Sequence, residues 1–359
     1  MKTSISTKTN SVLLALIALF AFAIPASASA ARPGAVVFSR LTETTEPKKA
    51  EGEAPKVVTE GGLFAIREGR LNQLTEDPTD TEPAFAPDGR TIAFVRGGHL
   101  FSVRPDGSGQ RQLTSGSTLD SAPLVSPDGK LVVFERRDAA GGPADLYVVR
   151  TLGGGLRALV TSSADEHDAD FAANGRAVAF VRSGAGSDDV YSVRPSGARL
   201  VRLTKTAGTD EFEPRYFAGG IVFSRGESAA GPAAFADIYT MRADGSKVKP
   251  LVRGVGSAYV EDVAVGNTLL FRRDRGLWVK RIGPARARKL ADLPDNSQTN
   301  SVFSSDGRRV AAFVAAEERE YLVSIDVANG RQSDLAEGVD LSEGEGTTLG
   351  PVMTWQPTR

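Results

Sequence analysis

Beyond residue 30 the chain is a succession of short apolar runs broken at Gly, Asp and Asn. One phrase, Glu82-Pro83-Ala84-Phe85-Ala86-Pro87-Asp88-Gly89 leading into Ile92-Ala93-Phe94-Val95-Arg96, recurs as Ala122-Pro123-Leu124-Val125-Ser126-Pro127-Asp128-Gly129 leading into Val133-Phe134-Glu135-Arg136. Weaker copies run from Asp168 to Phe180, Pro214 to Phe223, Val263 to Phe271 and Val302 to Phe313. Ala35 to Arg40 opens the series as a fragment. Runs this short, separated by turn residues, predict strands rather than helices.

Three further registers fix the count. A Phe stands at 38, 94, 134, 180, 223, 271 and 313. An aromatic follows each in a short alternating run, at Phe64, Phe101, Tyr147, Tyr191, Tyr239, Trp278 and Tyr321. A Leu closes each unit, at 74, 113, 159, 203, 251, 290 and 335. Asp106-Gly107, Ser196-Gly197, Asp244-Gly245 and Asn329-Gly330 fall between runs, where a tight hairpin needs positive φ. Each unit therefore reads as four antiparallel strands, A to D, which is the size of a propeller blade of about 40 residues. Pro351 to Pro357 copies strand A with nothing after it, while the first unit has B, C and D but no A. The last strand is expected to complete the first blade and close the ring. The expectation is an all-β, seven-bladed β-propeller, with six blades if the unit around Phe271 is spurious.

Residues 1–30 have the pattern of a secretory signal peptide. Lys2 and Lys8 precede 13 unbroken apolar residues, Val12 to Ile24, and then a small-residue stretch ending at Ala28 and Ala30. The apolar run is short for a membrane span, so no transmembrane segment is expected after cleavage. The expected product is an exported, monomeric propeller over 31–359, periplasmic or secreted.

Composition removes several chemistries. The absence of Cys excludes disulfides, thiolate nucleophiles and Cys-ligated metals, and two His leave little for a multi-histidine centre. With 43 Lys+Arg against 44 Asp+Glu, a nucleic-acid partner is not expected. The 38 Gly fit a chain of tight turns.

The Pro-x-Phe-Ser-Pro-Asp-Gly-x-x-Ile-Ala-Phe phrase, recurring across the chain, resembles the repeat of the TolB-like, WD-like propellers. That resemblance implies the propeller fold and says little about function. TolB itself carries an α/β domain before six blades; here only Ala31 to Gly34 precede the first strand, so that domain is not expected. Prolyl-oligopeptidase propellers are similar too, but are joined to a hydrolase domain, and no Gly-x-Ser-x-Gly occurs.

In a meander of strands, the A–B and C–D turns share one end of the blades, and the D–A and B–C loops share the other. The turn end, with its short Asp-Gly hairpins, reads as structural. The loop end is acidic on entry to strand A: Asp80, Glu82, Asp120, Glu166, His167, Asp168, Asp210, Glu211, Glu261 and Asp262 are the candidate binding residues around the channel mouth. Such a ring focuses potential on a cationic ligand or a basic peptide. Two residues after the repeating Phe stand Arg40, Arg96, Arg136, Arg182, Arg225 and Arg273, with Ala315 breaking the series. These are candidates for blade-to-blade ion pairs that would neutralise part of the mouth. The segment 42–60, charged and with few large apolar residues, reads as a flexible loop in the first blade. One His beside acids does not complete a ligand set, so neither a metal nor a cofactor is expected. No catalytic set is complete. The expected role is a non-catalytic scaffold that holds a protein or peptide through the acidic, loop-bearing face. The alternatives are a small-ligand or carbohydrate-binding propeller, or a glycan-active enzyme using mouth carboxylates.

Overall fold

A computed structural model of the chain describes residues 34–46, 56–184, 186–227, 236–254, 256–293, 298–316, 319–335 and 347–355. The expected signal peptide lies outside them. Among the described residues no helix is long and apolar enough to cross a membrane.

The strands assemble into seven sheets of four, each with the same up-and-down order. Blade 1 takes strand A from Thr347–Trp355 and strands B to D from Val36–Glu46, Lys56–Arg67 and Arg70–Gln73. Blades 2 to 7 follow in sequence over 80–112, 118–160, 166–202, 209–252, 258–292 and 298–334. The ring closes through Val36↔Trp355 and Phe38↔Met353, so the C-terminal strand completes the first blade as expected. The unit around Phe271 is a full blade, and the count is seven.

The core sits between blades, and this explains why strand B is apolar on both sides. Each blade is covered on both faces, so Ile92, Ala93 and Phe94 are all buried together. The apolar side chains divide into seven clusters, each joining successive blades. Phe94 of blade 2 packs with Val37 and Leu63 of blade 1, and Phe313 of blade 7 packs with Phe38 and Trp355 of blade 1. The repeating Phe residues at 38, 94, 134, 180, 223 and 271 are fully enclosed. Opposite them across the B–C pair lie the expected aromatics, with ring centroids 5.7–6.4 Å apart.

Blade 7 departs from that register. Phe313 faces Leu322, and Tyr321 stands opposite Val314 instead. The pairing is shifted by one position from that of the other blades. Leu322 takes the core place.

The 42–60 segment also differs from its expected form. Residues Thr42 to Glu46 pair with Glu60 to Lys56, extending the B–C hairpin of blade 1 well past the length used elsewhere. Thr42, Thr44, Thr45, Val57, Val58 and Thr59 are β-branched, and that favours a ribbon where charge alone suggested a loop. Residues 47–55 lie outside the described part.

Candidate functional site

Strands A of successive blades adjoin around the axis, so their entry residues form the innermost ring on the loop face. The acids expected in D–A loops are in fact strand residues: Asp80 and Glu166 begin strands, and Asp120 and Glu211 lie inside them.

These four carboxylates are consumed by the Arg series. Asp80 sits directly across from Arg96, Asp120 from Arg136, Glu166 from Arg182 and Glu211 from Arg225. Arg96 donates Nε to Asp80 Oδ1 at 2.6 Å and Nη2 to Oδ2 at 2.8 Å, and Arg136 grips Asp120 in the same way at 2.7 and 3.0 Å. The Nε contacts of Arg182 and Arg225 are 2.8 and 2.7 Å. All four carboxylate side chains are fully buried. The guanidinium also stacks on the aromatic pair, as Arg136 does 5.3 Å from the Phe134 ring centre and 5.0 Å from Tyr147.

The pairs are therefore inside a blade, not between blades as expected. The reason is register: acid and Arg are cross-strand neighbours on strands A and B, on the same sheet face as the Phe. The link between blades comes from a hydroxyl that charge patterning does not reveal. Thr114, at the end of blade 2, donates to Asp120 at 2.5 Å while accepting Leu100 N–H at 2.8 Å. Thr204 does the same for Glu211 and Val190 at 2.9 Å each, and Ser162 reaches Glu166 at 2.5 Å. The recurring Leu-Thr dipeptide at 74–75, 113–114 and 203–204 was its visible signal.

Blade 6 lacks the pair because Ala258 occupies the acid position opposite Arg273, whose nearest carboxylate is that of Asp274, at 3.6 Å. In blade 7 the corresponding positions are Gln298 and Ala315. In blade 1 Arg40 stands opposite Leu349, and it lies over Phe64 at 5.8 Å.

The remaining acids hold blades together through backbone N–H groups. In blades 2 to 5 strand A bulges, and the bulge residue takes a left-handed conformation at Glu82, Ala122, Asp168 and Glu213. The bulge re-aims those side chains toward the next blade. Glu82 accepts Ala122 N–H at 2.5 Å, and Asp168 accepts Glu213 N–H at 3.2 Å. Asp170 accepts Tyr216 N–H at 2.7 Å, Glu261 accepts Ser301 N–H at 3.1 Å, and Asp262 accepts Phe303 N–H at 2.8 Å. Asp210 caps Asp188 N–H of blade 4 at 3.0 Å. Each inner strand edge would otherwise leave such donors without a partner.

On blades 4 to 6 these groups form a dense electrostatic cluster around Arg215, a residue the sequence reading passed over. Burial opposes the Arg215 charge, but Asp170, Asp168, Glu213 and Asp262 outweigh it and raise its pKa. Burial pushes Asp170 up to about 6, Glu213 to about 7 and Glu261 to about 8, against weaker opposing pulls from Arg215 or Arg272. Asp262 is also raised by burial. Asp168 goes the other way: burial raises it, but His167 and Arg215 prevail and lower it. His167 Nδ1 is 3.4 Å from Asp168, and its Nε2 is 3.3 Å from Ser183 Oγ. Burial disfavours the imidazolium, yet Asp168, Glu135 and Asp188 raise its pKa overall. Among the described residues no group of three or more His, Asp or Glu converges as a metal site. Phe212 and Tyr259, the aromatics nearest the mouth, stack on each other at 5.9 Å, with Arg272 over Tyr259 at 5.3 Å.

With this geometry in hand, the likeness to known proteins can be placed. Residues 62–214 match the family model described as the TolB beta propeller domain. The propeller is TolB-like. A TolB homolog of Chlorobium chlorochromatii is 31% identical over 156 residues, covering 42% of this chain and 34% of that protein. The chain spans about a third or less of the length of the curated relatives it matches. TolB from Acinetobacter baumannii superposes with a TM-score of 0.53 at 14% identity, covering 89% of this chain and 82% of the other. An oligogalacturonate lyase from Vibrio parahaemolyticus gives 0.62 at 13% identity over 81% and 91%. At such identity these structures share the fold with the TolB-like propeller, and they include an enzyme, so the fold does not choose between binding and catalysis.

Proposed function

We propose that this chain is an exported, monomeric scaffold that docks a protein or peptide on its loop face, without catalysing a reaction. The observation that carries the reading is the extended hairpin of blade 1. Glu43↔Thr59 through Glu46↔Lys56 pair beyond the reach of strand A, forming a two-stranded ribbon that stands out from the loop face. Long, blade-specific elements on one face of a repetitive scaffold are where partners engage. The acidic residues support the reading in a revised sense. Asp80, Asp120, Glu166 and Glu211 are neutralised, and what reaches the mouth is the charged sector of blades 4 to 6. The stacked Phe212–Tyr259 pair has one ring face of each already covered, which favours a protein partner over a sugar platform. The relatives named as Tol-Pal system protein TolB and TolB homologs point the same way and favour a periplasmic setting.

The test is photo-crosslinking from Thr44 or Thr59, set against a turn-face position such as Ser108, in the exported fraction. A defined adduct from the ribbon alone, lost when 43–59 is replaced by a two-residue turn with unchanged melting temperature, is the expected result. Equal adducts from both faces, or release of reducing sugar from oligosaccharides by the purified protein, would overturn it.

A further inference from the structure

The turn face, uniform in sequence, carries a cavity of about 660 Å³ between blades 5 and 6. Its apolar lining includes Met241, Leu251 and Ile282, and its cations are Arg242, Lys247 and Lys249; no carboxylate lines it. The one acid of the adjoining turn, Asp244, is held by Ser246, whose N–H and hydroxyl reach it at 2.9 and 2.6 Å. The volume is that of a pocket for a small organic ligand.

Two observations show a built site. The first is that the walls are fixed from behind. Lys280, itself largely buried, donates to the carbonyls of Gly283 and Ala285, Ile282 N–H bonds to Asn267 O at 2.8 Å, and the Asn267 side chain accepts Ala218 N–H across the blade boundary at 3.0 Å. The second is the charge of the rim: Arg242, Lys247 and Lys249 gather on it with no carboxylate among the lining residues. The φ of +58 at Lys247 belongs to the turn, since Arg199 has the same value at that place in blade 4 and Gly109 and Gly155 are positive there in blades 2 and 3. Val248, beside it, stays exposed.

We propose that this cleft binds an anionic amphiphile, a phosphate- or carboxylate-headed molecule with an apolar tail. Its charged end sits among Arg242, Lys247 and Lys249, and its tail covers Met241, Leu251 and Ile282. The site is separate from the loop-face reading and stands or falls without it.

Anilinonaphthalenesulfonate, an anionic apolar fluorophore, is titrated into the folded protein and displaced with dodecyl phosphate. One saturable site is expected, displaced by dodecyl phosphate and not by an uncharged dodecyl glycoside below its micelle concentration. Lys247→Glu with Lys249→Glu weakens dodecyl phosphate binding about tenfold or more, while Lys205→Glu on the loop face leaves it within about twofold. If the double variant loses its melting transition, Arg242→Gln replaces it. Flotation with phosphatidylcholine vesicles, with and without phosphatidylglycerol, separates the two sources of the headgroup. Binding only to the anionic vesicles assigns a membrane lipid, and dodecyl phosphate binding without flotation assigns a free amphiphile. Absence of a saturable site, or equal affinity in the double variant and Lys205→Glu, would overturn the proposal.

Discussion

Blades 2 to 5 and blades 6 and 7 are built from the same four strands, yet they keep their entry carboxylates for different ends. In the first group an acid, an Arg, an aromatic pair and, in blades 3 to 5, a hydroxyl of the preceding blade close a buried unit at the top of each sheet. In blades 6 and 7 Ala258 and Gln298 replace the acid, and in blade 6 the carboxylates of Glu261 and Asp262 sit deeper, bonding to the backbone of blade 7. The contrast teaches that an acidic residue at the entry to strand A is scaffold chemistry when an Arg faces it. Deeper in strands A of blades 4 to 6, where carboxylates share a buried cation, burial pushes them furthest up.

The contrast can be broken from either side. Arg136→Met leaves Asp120 buried with Thr114 as its main partner; stability should fall by about 3 kcal/mol, a melting shift of roughly 5 °C, and Arg182→Met should behave alike. Arg273→Met in blade 6 should cost little, and equal losses in both blades by calorimetry would refute the distinction. Thr114→Val removes a donor to Asp120 and the acceptor for Leu100 N–H, for an expected loss of about 2 kcal/mol by denaturant titration.

The buried carboxylates of blades 4 to 6 make a pH prediction. Folded Glu261 holds its proton to about pH 8, against an ordinary value of 4.5. Between those limits folded Glu261 holds a proton that the unfolded chain releases, so its contribution to stability is greatest below pH 4.5 and is lost as pH rises through 8. Glu213 and Asp170 act in the same direction over narrower windows. Glu261→Gln should flatten the decline between pH 5 and 9 by on the order of 1–2 kcal/mol, and an unchanged slope in thermal unfolding at several pH values would count against it. The smallest effect is expected from Ala258→Asp, which recreates the pair with half-buried Arg273 and should stabilise by less than about 1 kcal/mol.

Nearly all of the fold was legible. Phe, aromatic and Leu registers, hairpin turns and the orphan strand at each end specified seven closed blades, because every blade buries the same positions. The misplacements share one cause. Charge patterning put the acids and the Arg series on one face and expected them to pair between blades, whereas Asp120 and Arg136 meet within one, because they are cross-strand neighbours on the same sheet face. The bulges at Glu82 and Asp168 turn side chains toward the next blade with no mark in the sequence. Arg215 was invisible for a related reason: nothing local shows that four carboxylates from three blades converge on it. Tyr321 failed by a single register position.

The joint between the first strand B and the last strand A has a consequence in time. Phe38 cannot meet Met353 until almost the whole chain has left the ribosome. Closing so long a loop is entropically slow, and contacts of this separation retard folding. Blades 2 to 6 can assemble as a growing arc while blade 1 waits with an uncovered edge. The ring therefore cannot lock before Thr347–Trp355 arrives.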